Sequence, residues 1–254
     1  MDGFSFGRGD RALVILPGLS VQSVMLWADA VAEAYRPLAE DFTVCVLDRR
    51  KELPAAYSVR GMAEDTAAAI RALGLERVCL FGASQGGMIA MMIAAEHPEL
   101  VSRLVLGSTA ARVDAARFRA VEAWIRLARA GDAQGLYLAF GEAVYPPEVF
   151  AQSREELTAA AAAVTDEELR RFVILAESMR GFDAAARLPE LACPVLVLGD
   201  RDDRVFGADA SEEIAALLAG HPGCALYLYE GFGHAAYDTA PDYKERMLRF
   251  LTAE

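Results

Sequence analysis

A serine set between glycines, three histidines and a crowded group of aspartates are the residues in this chain able to activate a hydroxyl for attack. Ser84 lies in Gly82-Ala83-Ser84-Gln85-Gly86-Gly87, straight after the apolar run Arg77-Val78-Cys79-Leu80-Phe81 and before Met88-Ile89-Ala90-Met91-Met92-Ile93-Ala94. That order predicts a buried strand, a sharp turn and a helix. A serine in such a turn takes a strained backbone conformation that presents its hydroxyl. Gly82 and Gly86 stand where a side chain would collide at the strand-to-helix crossing, and Gly87 lets the helix start pack close. The helix N-terminus behind Ser84 supplies free N–H groups and positive dipole potential, both suited to a developing oxyanion. Short patterns of this kind also arise by accident in loops, so the partner residues decide.

A serine hydroxyl is a weak nucleophile until a base takes its proton and a carboxylate orients that base. His97, in Ala95-Glu96-His97-Pro98, falls at the far end of the helix that begins beside Ser84. His221, in Gly220-His221-Pro222-Gly223, leads into the last strand and enters from the opposite edge of the sheet. His234 follows that strand, in Glu230-Gly231-Phe232-Gly233-His234. Functional groups in open α/β sheets collect at the carboxyl ends of strands, so His234 shares a rim with Ser84. The acid belongs at another strand end. Leu196-Val197-Leu198-Gly199 runs into Asp200-Arg201-Asp202-Asp203, which leaves three candidates side by side.

The elements that must position these groups are legible as short apolar runs. Strands are expected at Ala12–Leu16, Thr43–Leu47, Val78–Phe81, Leu104–Leu106, Val195–Leu198 and Ala225–Tyr229, with a further short one through Phe4-Ser5-Phe6. Continuous apolar runs suit strands covered on both faces, as in parallel sheets. Helical patterns fit Met25–Leu38, Val59–Leu73, Gly86–Glu96, Ala208–Leu218 and Pro241–Leu251. The alternation predicts an α/β fold with a doubly wound, mostly parallel sheet. Between Ser108 and Pro194 the rhythm breaks into helix-forming sequence rich in Ala, Glu, Arg and Leu. Breaks are expected at Gly131-Asp132, Tyr145-Pro146-Pro147 and Val164-Thr165-Asp166, and Thr165-Asp166-Glu167-Glu168 has the form of a capping box. The sheet resumes at Pro194, so the reading is a core of residues 1–108 and 194–254 with an inserted helical cap at 109–193.

A net charge of −12 over 254 residues argues against nucleic acid and anionic membrane surfaces as partners, since both need basic patches. The N-terminal residues lack a basic region followed by an apolar one, and no apolar stretch reaches membrane length, so a cytoplasmic protein is expected. Cys45, Cys79, Cys193 and Cys224 each lie in or beside a strand with no Cys-x-x-Cys, which suits reduced core thiols better than a disulfide framework or metal site.

With these residues in place, the chain resembles the α/β-hydrolases over nearly its full length. The resemblance rests on Gly82-Ala83-Ser84-Gln85-Gly86 as nucleophile elbow, Gly199-Asp200-Arg201-Asp202 as acid turn and Gly231-Phe232-Gly233-His234 as histidine loop, in the order Ser, Asp, His. The family's Gly-x-x-Asp turn implies Asp202 as the acid, ahead of Asp203 and Asp200. It also implies an oxyanion hole from the N–H groups of Gln85 and of Leu19, in Leu16-Pro17-Gly18-Leu19-Ser20, where Pro17 replaces the usual histidine. Asp48-Arg49-Arg50-Lys51 departs from the family's glycine-containing loop and is expected to be a solvated loop, with contact to an acidic substrate group as the alternative.

The implied reaction is hydrolysis of a small or medium carboxylic ester through an acyl-enzyme, with neither metal nor organic cofactor and a small-molecule partner. Met88, Val205 and Tyr237 follow motif residues and are pocket candidates, with Trp124 from the insert. The other large apolar residues of the insert, such as Phe140 and Met179, fit its core better than a pocket wall. The same three residues also serve lactonases, thioesterases and C–C bond hydrolases, and a hydrolase-like ligand-binding protein is the alternative outside enzymes. The oligomeric state is left open.

Overall fold

In a computed structural model, which describes residues 1–253, the apolar runs form a seven-stranded sheet. Its strands are β1 (Gly3–Gly7), β2 (Arg11–Leu16), β3 (Phe42–Leu47), β4 (Val78–Ala83), β5 (Val101–Gly107), β6 (Val195–Asp200) and β7 (Cys224–Tyr229), in the order β1-β3-β2-β4-β5-β6-β7. β1 runs antiparallel to β3 and every other pairing is parallel. Side chains alternate across the pleat. Val14, Leu16, Val78 and Leu80 enter one apolar cluster, and Leu13, Ile15, Cys79 and Phe81 the other, on the opposite face. Such two-sided burial requires helices on both faces, and it explains why the strands read as unbroken apolar runs rather than alternating ones.

The helices are α1 (Ala28–Ala34), α2 (Val59–Ala72), α3 (Gln85–Glu96), α4 (Arg119–Arg129), α5 (Ala133–Val144), α6 (Pro147–Ala161), α7 (Asp166–Glu177), α8 (Ala208–Leu217), α9 (Ala236–Thr239) and α10 (Tyr243–Thr252). Two expectations needed correction. The helix read over Met25–Leu38 is three pieces: a 3₁₀ turn at Val24–Trp27, α1, and a 3₁₀ turn at Arg36–Leu38. Pro37 lacks the N–H that an α-helix would need there, and the first turn exposes Leu26 and Trp27, so no apolar face holds it as one helix. β5 is longer than the Leu104–Leu106 core that announced it, because Ser102 and Arg103 belong to the strand while breaking its apolar run.

Four helices, α4 to α7, occupy the interval between β5 and β6, with their breaks at the three expected places. The capping box is present: the Glu168 N–H donates to Thr165 Oγ1, and Glu168 Oε2 accepts from the Thr165 N–H. α4 packs against α5 and α7, and α5 against α6. The two ends of this insert meet. Arg112 and Asp183 form an antiparallel bridge, flanked by Val113 N–H to Phe182 O (2.8 Å) and Ala184 N–H to Ala111 O (2.9 Å). All four cysteines are unpaired thiols, three of them buried. Among the described residues no helix is long and apolar enough to cross a membrane.

Candidate active site

β4 ends buried, and Ser84 follows with φ 51° and ψ −120°, immediately before α3. Gly82 and Gly86 make this crossing possible: a Cβ on Gly82 would lie 2.3 Å from Gly86 O, and one on Gly86 2.1 Å from Leu16 O. The Ser84 N–H donates to Gly107 O (2.8 Å), and Thr109 Oγ1 donates to Ser84 O (2.7 Å). The strained residue is therefore held from both of its peptide groups. Ser84→Gly is expected to raise Tm by a few degrees. The strain is about 1–3 kcal/mol for serine, whereas for glycine this backbone mirrors polyproline II and is unstrained. The lost hydroxyl bond offsets about 1 kcal/mol of the relief, and each remaining kcal/mol is about 2–4 °C for a chain of this size. A thermal scan of the purified variant checks it; an unchanged or lower Tm contradicts it.

His234 Nε2 lies 2.9 Å from Ser84 Oγ, and His234 Nδ1 lies 2.9 Å from Asp203 Oδ2. With Asp203 ionised, Nδ1 carries the hydrogen and donates it to the carboxylate, leaving Nε2 to accept from the serine hydroxyl. All three side chains are almost completely buried. Burial pushes the Asp203 carboxyl up, but the His234 charge and hydrogen bond and the amides of Val205 and Phe206 outweigh it and hold the group below the usual carboxylate range. The Phe206 ring meets the imidazole edge-on at 5.4 Å between centroids and fixes its plane. The loop that carries His234 turns through Gly233, at φ 67°, and the Ala235 N–H donates to Val144 O of α5 (3.0 Å).

Asp202, favoured for the acid by the family's turn spacing, does not reach the histidine. Its Oδ2 accepts the Gly231 N–H (2.8 Å), and Asp200 Oδ2 accepts the Phe232 N–H (2.9 Å). The three acids thus divide one loop between them. Asp200 ends β6 and Asp202 sits on the exposed turn, and both grip the backbone of the histidine loop. The chain turns inward one residue later, where Asp203 Oδ1 accepts the N–H groups of Val205 (2.7 Å) and Phe206 (3.1 Å) and Oδ2 meets His234. The other histidines lie elsewhere as expected: His97 pairs with Glu64 at the end of α3, and His221 contacts Leu191 O.

The Pro17-Gly18-Leu19 loop runs against the serine, so that a Cβ on Gly18 would sit 3.3 Å from Ser84 Cβ. Among the described residues, neither the N–H of Leu19, in the loop after β2, nor that of Gln85, the first residue of α3, is bonded to a backbone carbonyl of another element. A narrow cavity opens beside Ser84 and His234, lined by Leu19, Val121, Trp124, Phe140, Val144, Met179, Val205, Phe206 and Tyr237. It has about 10 Å³ of room for the centre of a water molecule, or about one water. Of the four pocket candidates, Trp124, Val205 and Tyr237 are on this wall. Met88 is not: its side chain packs into the core from a stretch of α3 that is buried from Gln85 to Ala94. Phe140 and Met179, expected inside the insert, form part of the wall.

The Asp48–Lys51 run is only half solvated. Arg50 and Lys51 are exposed and pair with Asp65 and Asp2, but Asp48 and Arg49 are buried. Arg49 donates to Gln85 Oε1 (2.8 Å), and burial lowers its guanidinium to about 10, opposed by the charge of Asp48. Sequence reading missed this pair. Its signal was an arginine directly continuing the buried end of β3.

A family model described as "alpha/beta hydrolase fold" matches residues 11–241. The "Putative carbamate hydrolase RutD" of Pseudomonas savastanoi pv. phaseolicola is 30% identical, over 97% of this chain and 96% of its own length. Among solved structures, MGS-M2, an alpha/beta hydrolase enzyme from a Medee basin deep-sea metagenome library, superposes with a TM-score of 0.87 at 20% identity, covering 100% of this chain and 94% of that one. The enol-lactonase from Burkholderia xenovorans LB400 gives 0.83 at 19% identity, covering 99% and 96%.

Proposed function

The chain belongs to the α/β-hydrolase family and is a hydrolytic enzyme, and from that premise we propose that it cleaves small, uncharged carboxylic esters through an acyl-enzyme on Ser84. His234 Nε2 takes the hydroxyl proton as Ser84 Oγ bonds to the carbonyl carbon, and Asp203 stabilises the imidazolium. The carbonyl oxygen becomes an oxyanion facing the N–H groups of Leu19 and Gln85. Collapse expels the alcohol, which leaves with the proton from His234. Water then attacks the acyl carbon, giving its proton to the same nitrogen, and the acid is released with Ser84 restored. The observation that carries this reading is the unbroken hydrogen-bonded series Ser84–His234–Asp203 facing an apolar cavity.

The helices over that cavity act as a cap that selects the acyl group. With room for about one water in the closed site, short acyl chains are favoured. Across p-nitrophenyl esters, kcat/KM is expected to peak at acetyl or propionyl and to be about 5- to 150-fold lower at octanoyl, since a chain that displaces cap side chains from their packing forfeits about 1–3 kcal/mol. A profile rising toward long chains overturns the small-acyl reading. Fast labelling of the wild type by a fluorophosphonate, lost in Ser84→Ala, distinguishes the enzyme from a ligand-binding protein. The compactness of the cavity also suits a second reading, a carbamate, the substrate class in the name of the relatives at 30% identity. Carbamate turnover with no ester turnover selects it.

A further inference from the structure

The side chain of Gln85 makes three hydrogen bonds that nucleophilic attack by Ser84 does not require. Gln85 is 0% exposed and stands one peptide bond from the nucleophile. Its Oε1 accepts from Arg49, at the end of β3, and its Nε2 donates to Leu175 O (2.6 Å) and to Ser178 Oγ (3.1 Å). Leu175 lies in the last turn of α7 and Ser178 is its C-cap, whose Oγ also donates to Leu175 O (2.6 Å), so Gln85 joins the hydrogen bonding that closes the helix end. The contact therefore joins the sheet core to the insert through the residue whose backbone N–H is the proposed oxyanion donor.

We propose that the Gln85 side chain is a positioning group that makes the placement of its own N–H depend on the insert being seated over Ser84. The inference rests on the acyl-enzyme reading above. The carbonyl of the peptide between Ser84 and Gln85 accepts from Thr109 Oγ1 and from the N–H groups of Gly87 (2.9 Å) and Met88 (3.3 Å). The side chain of Gln85 continues from that peptide to two acceptors at the C-terminal end of α7. When α7 lifts, Nε2 loses both acceptors together, and the start of α3 loses its brace to the insert. When α7 seats, Arg49 and α7 clamp the side chain from opposite ends. Closure thus braces the residue that carries the proposed oxyanion donor, which favours attack in the state in which the cavity is shut.

The test compares kcat, KM and affinity for an aryl trifluoromethyl ketone, whose hemiketal with Ser84 places an oxyanion in the hole. Gln85→Met, Ser178→Ala and Arg49→Lys are measured in the full chain, per active site titrated with a fluorophosphonate. Gln85→Met is expected to lower kcat by about 10- to 100-fold, with KM within about twofold, because a displaced donor costs transition-state binding and little ground-state binding. Ketone affinity should fall by the same factor as kcat/KM. Ser178→Ala, which removes one of the two acceptors, should show the same pattern at about two- to fivefold, and Arg49→Lys should fall between. If Gln85→Met fails to fold, the ratio of ketone affinity to KM in Ser178→Ala and Arg49→Lys decides. Variants with lowered Tm but unchanged kcat and ketone affinity overturn the proposal and leave Gln85 a packing contact. Full ester turnover in Ser84→Ala would instead overturn the reaction itself.

Discussion

Alanine at Ser84 or at His234 is expected to lower kcat by about 10⁶-fold, and the double variant to be no worse than either single one. The reason is geometric. The two side chains share one hydrogen bond of 2.9 Å, and they are buried where no bulk water can substitute for either. Remove the hydroxyl and the imidazole has nothing to deprotonate. Remove the imidazole and the hydroxyl keeps its proton at neutral pH. Each loss disables the same step, so the effects do not add. Residual turnover of about 10³-fold over the uncatalysed rate should survive all three variants, supplied by the cavity and the amides of Leu19 and Gln85. Steady-state kinetics on a propionyl ester checks it. Additive losses in the double variant would show that the two residues act in separate steps.

Asp203→Asn is expected to lower kcat by about 10⁴-fold, the effect of turning the base to its wrong tautomer. An asparagine that presents its NH₂ to His234 Nδ1 makes that nitrogen an acceptor and puts the ring hydrogen on Nε2, where it faces Ser84 as a donor. Asp202→Asn should stay within about tenfold of wild type, because its side chain only holds the Gly231 amide, a single exposed hydrogen bond worth about 0.5–1.5 kcal/mol in placing the loop. The pair of variants differs by one position and by orders of magnitude in outcome. Equal losses, or a dead Asp202→Asn beside an active Asp203→Asn, contradict the contact seen at 2.9 Å.

What separated these two aspartates was never periodic. The strands, the elbow and the breaks in the insert follow from local rules: apolar runs, small residues at a crossing, a capping box. Ser84 and His234 were legible because a strand end precedes each of them. The acid depended on how many residues the chain spends after β6 before turning inward, and that is decided by the Val205 and Phe206 amides closing on Asp203. Motif spacing picked the residue one too early. Met88 lies on a stretch of α3 buried from Gln85 to Ala94, so its place just after the motif did not say whether its side chain turns to the cavity or to the core. Arg49 looked like a surface charge because its neighbours Arg50 and Lys51 are, while the strand's burial carries on through Asp48 and Arg49. Long-range partners such as Leu175 and Ser178 had no local signature.

The bridge between Arg112 and Asp183 has a consequence for how such a chain changes over generations. Because both ends of the insert leave the core side by side, the core meets everything from 112 to 183 as it would meet a tight hairpin, and the entropy of closing that connection rises only slowly with its length. Helices within it can lengthen, shorten or be replaced without moving β5 against β6. On the function proposed above, substrate selection and bond breaking would then sit in separable parts of the chain. The exception is narrow: a replacement insert must still offer Gln85 a carbonyl and a hydroxyl where Leu175 and Ser178 now stand. New specificities would arise most readily at the cavity wall around Trp124 and Phe140, and least readily at the end of α7.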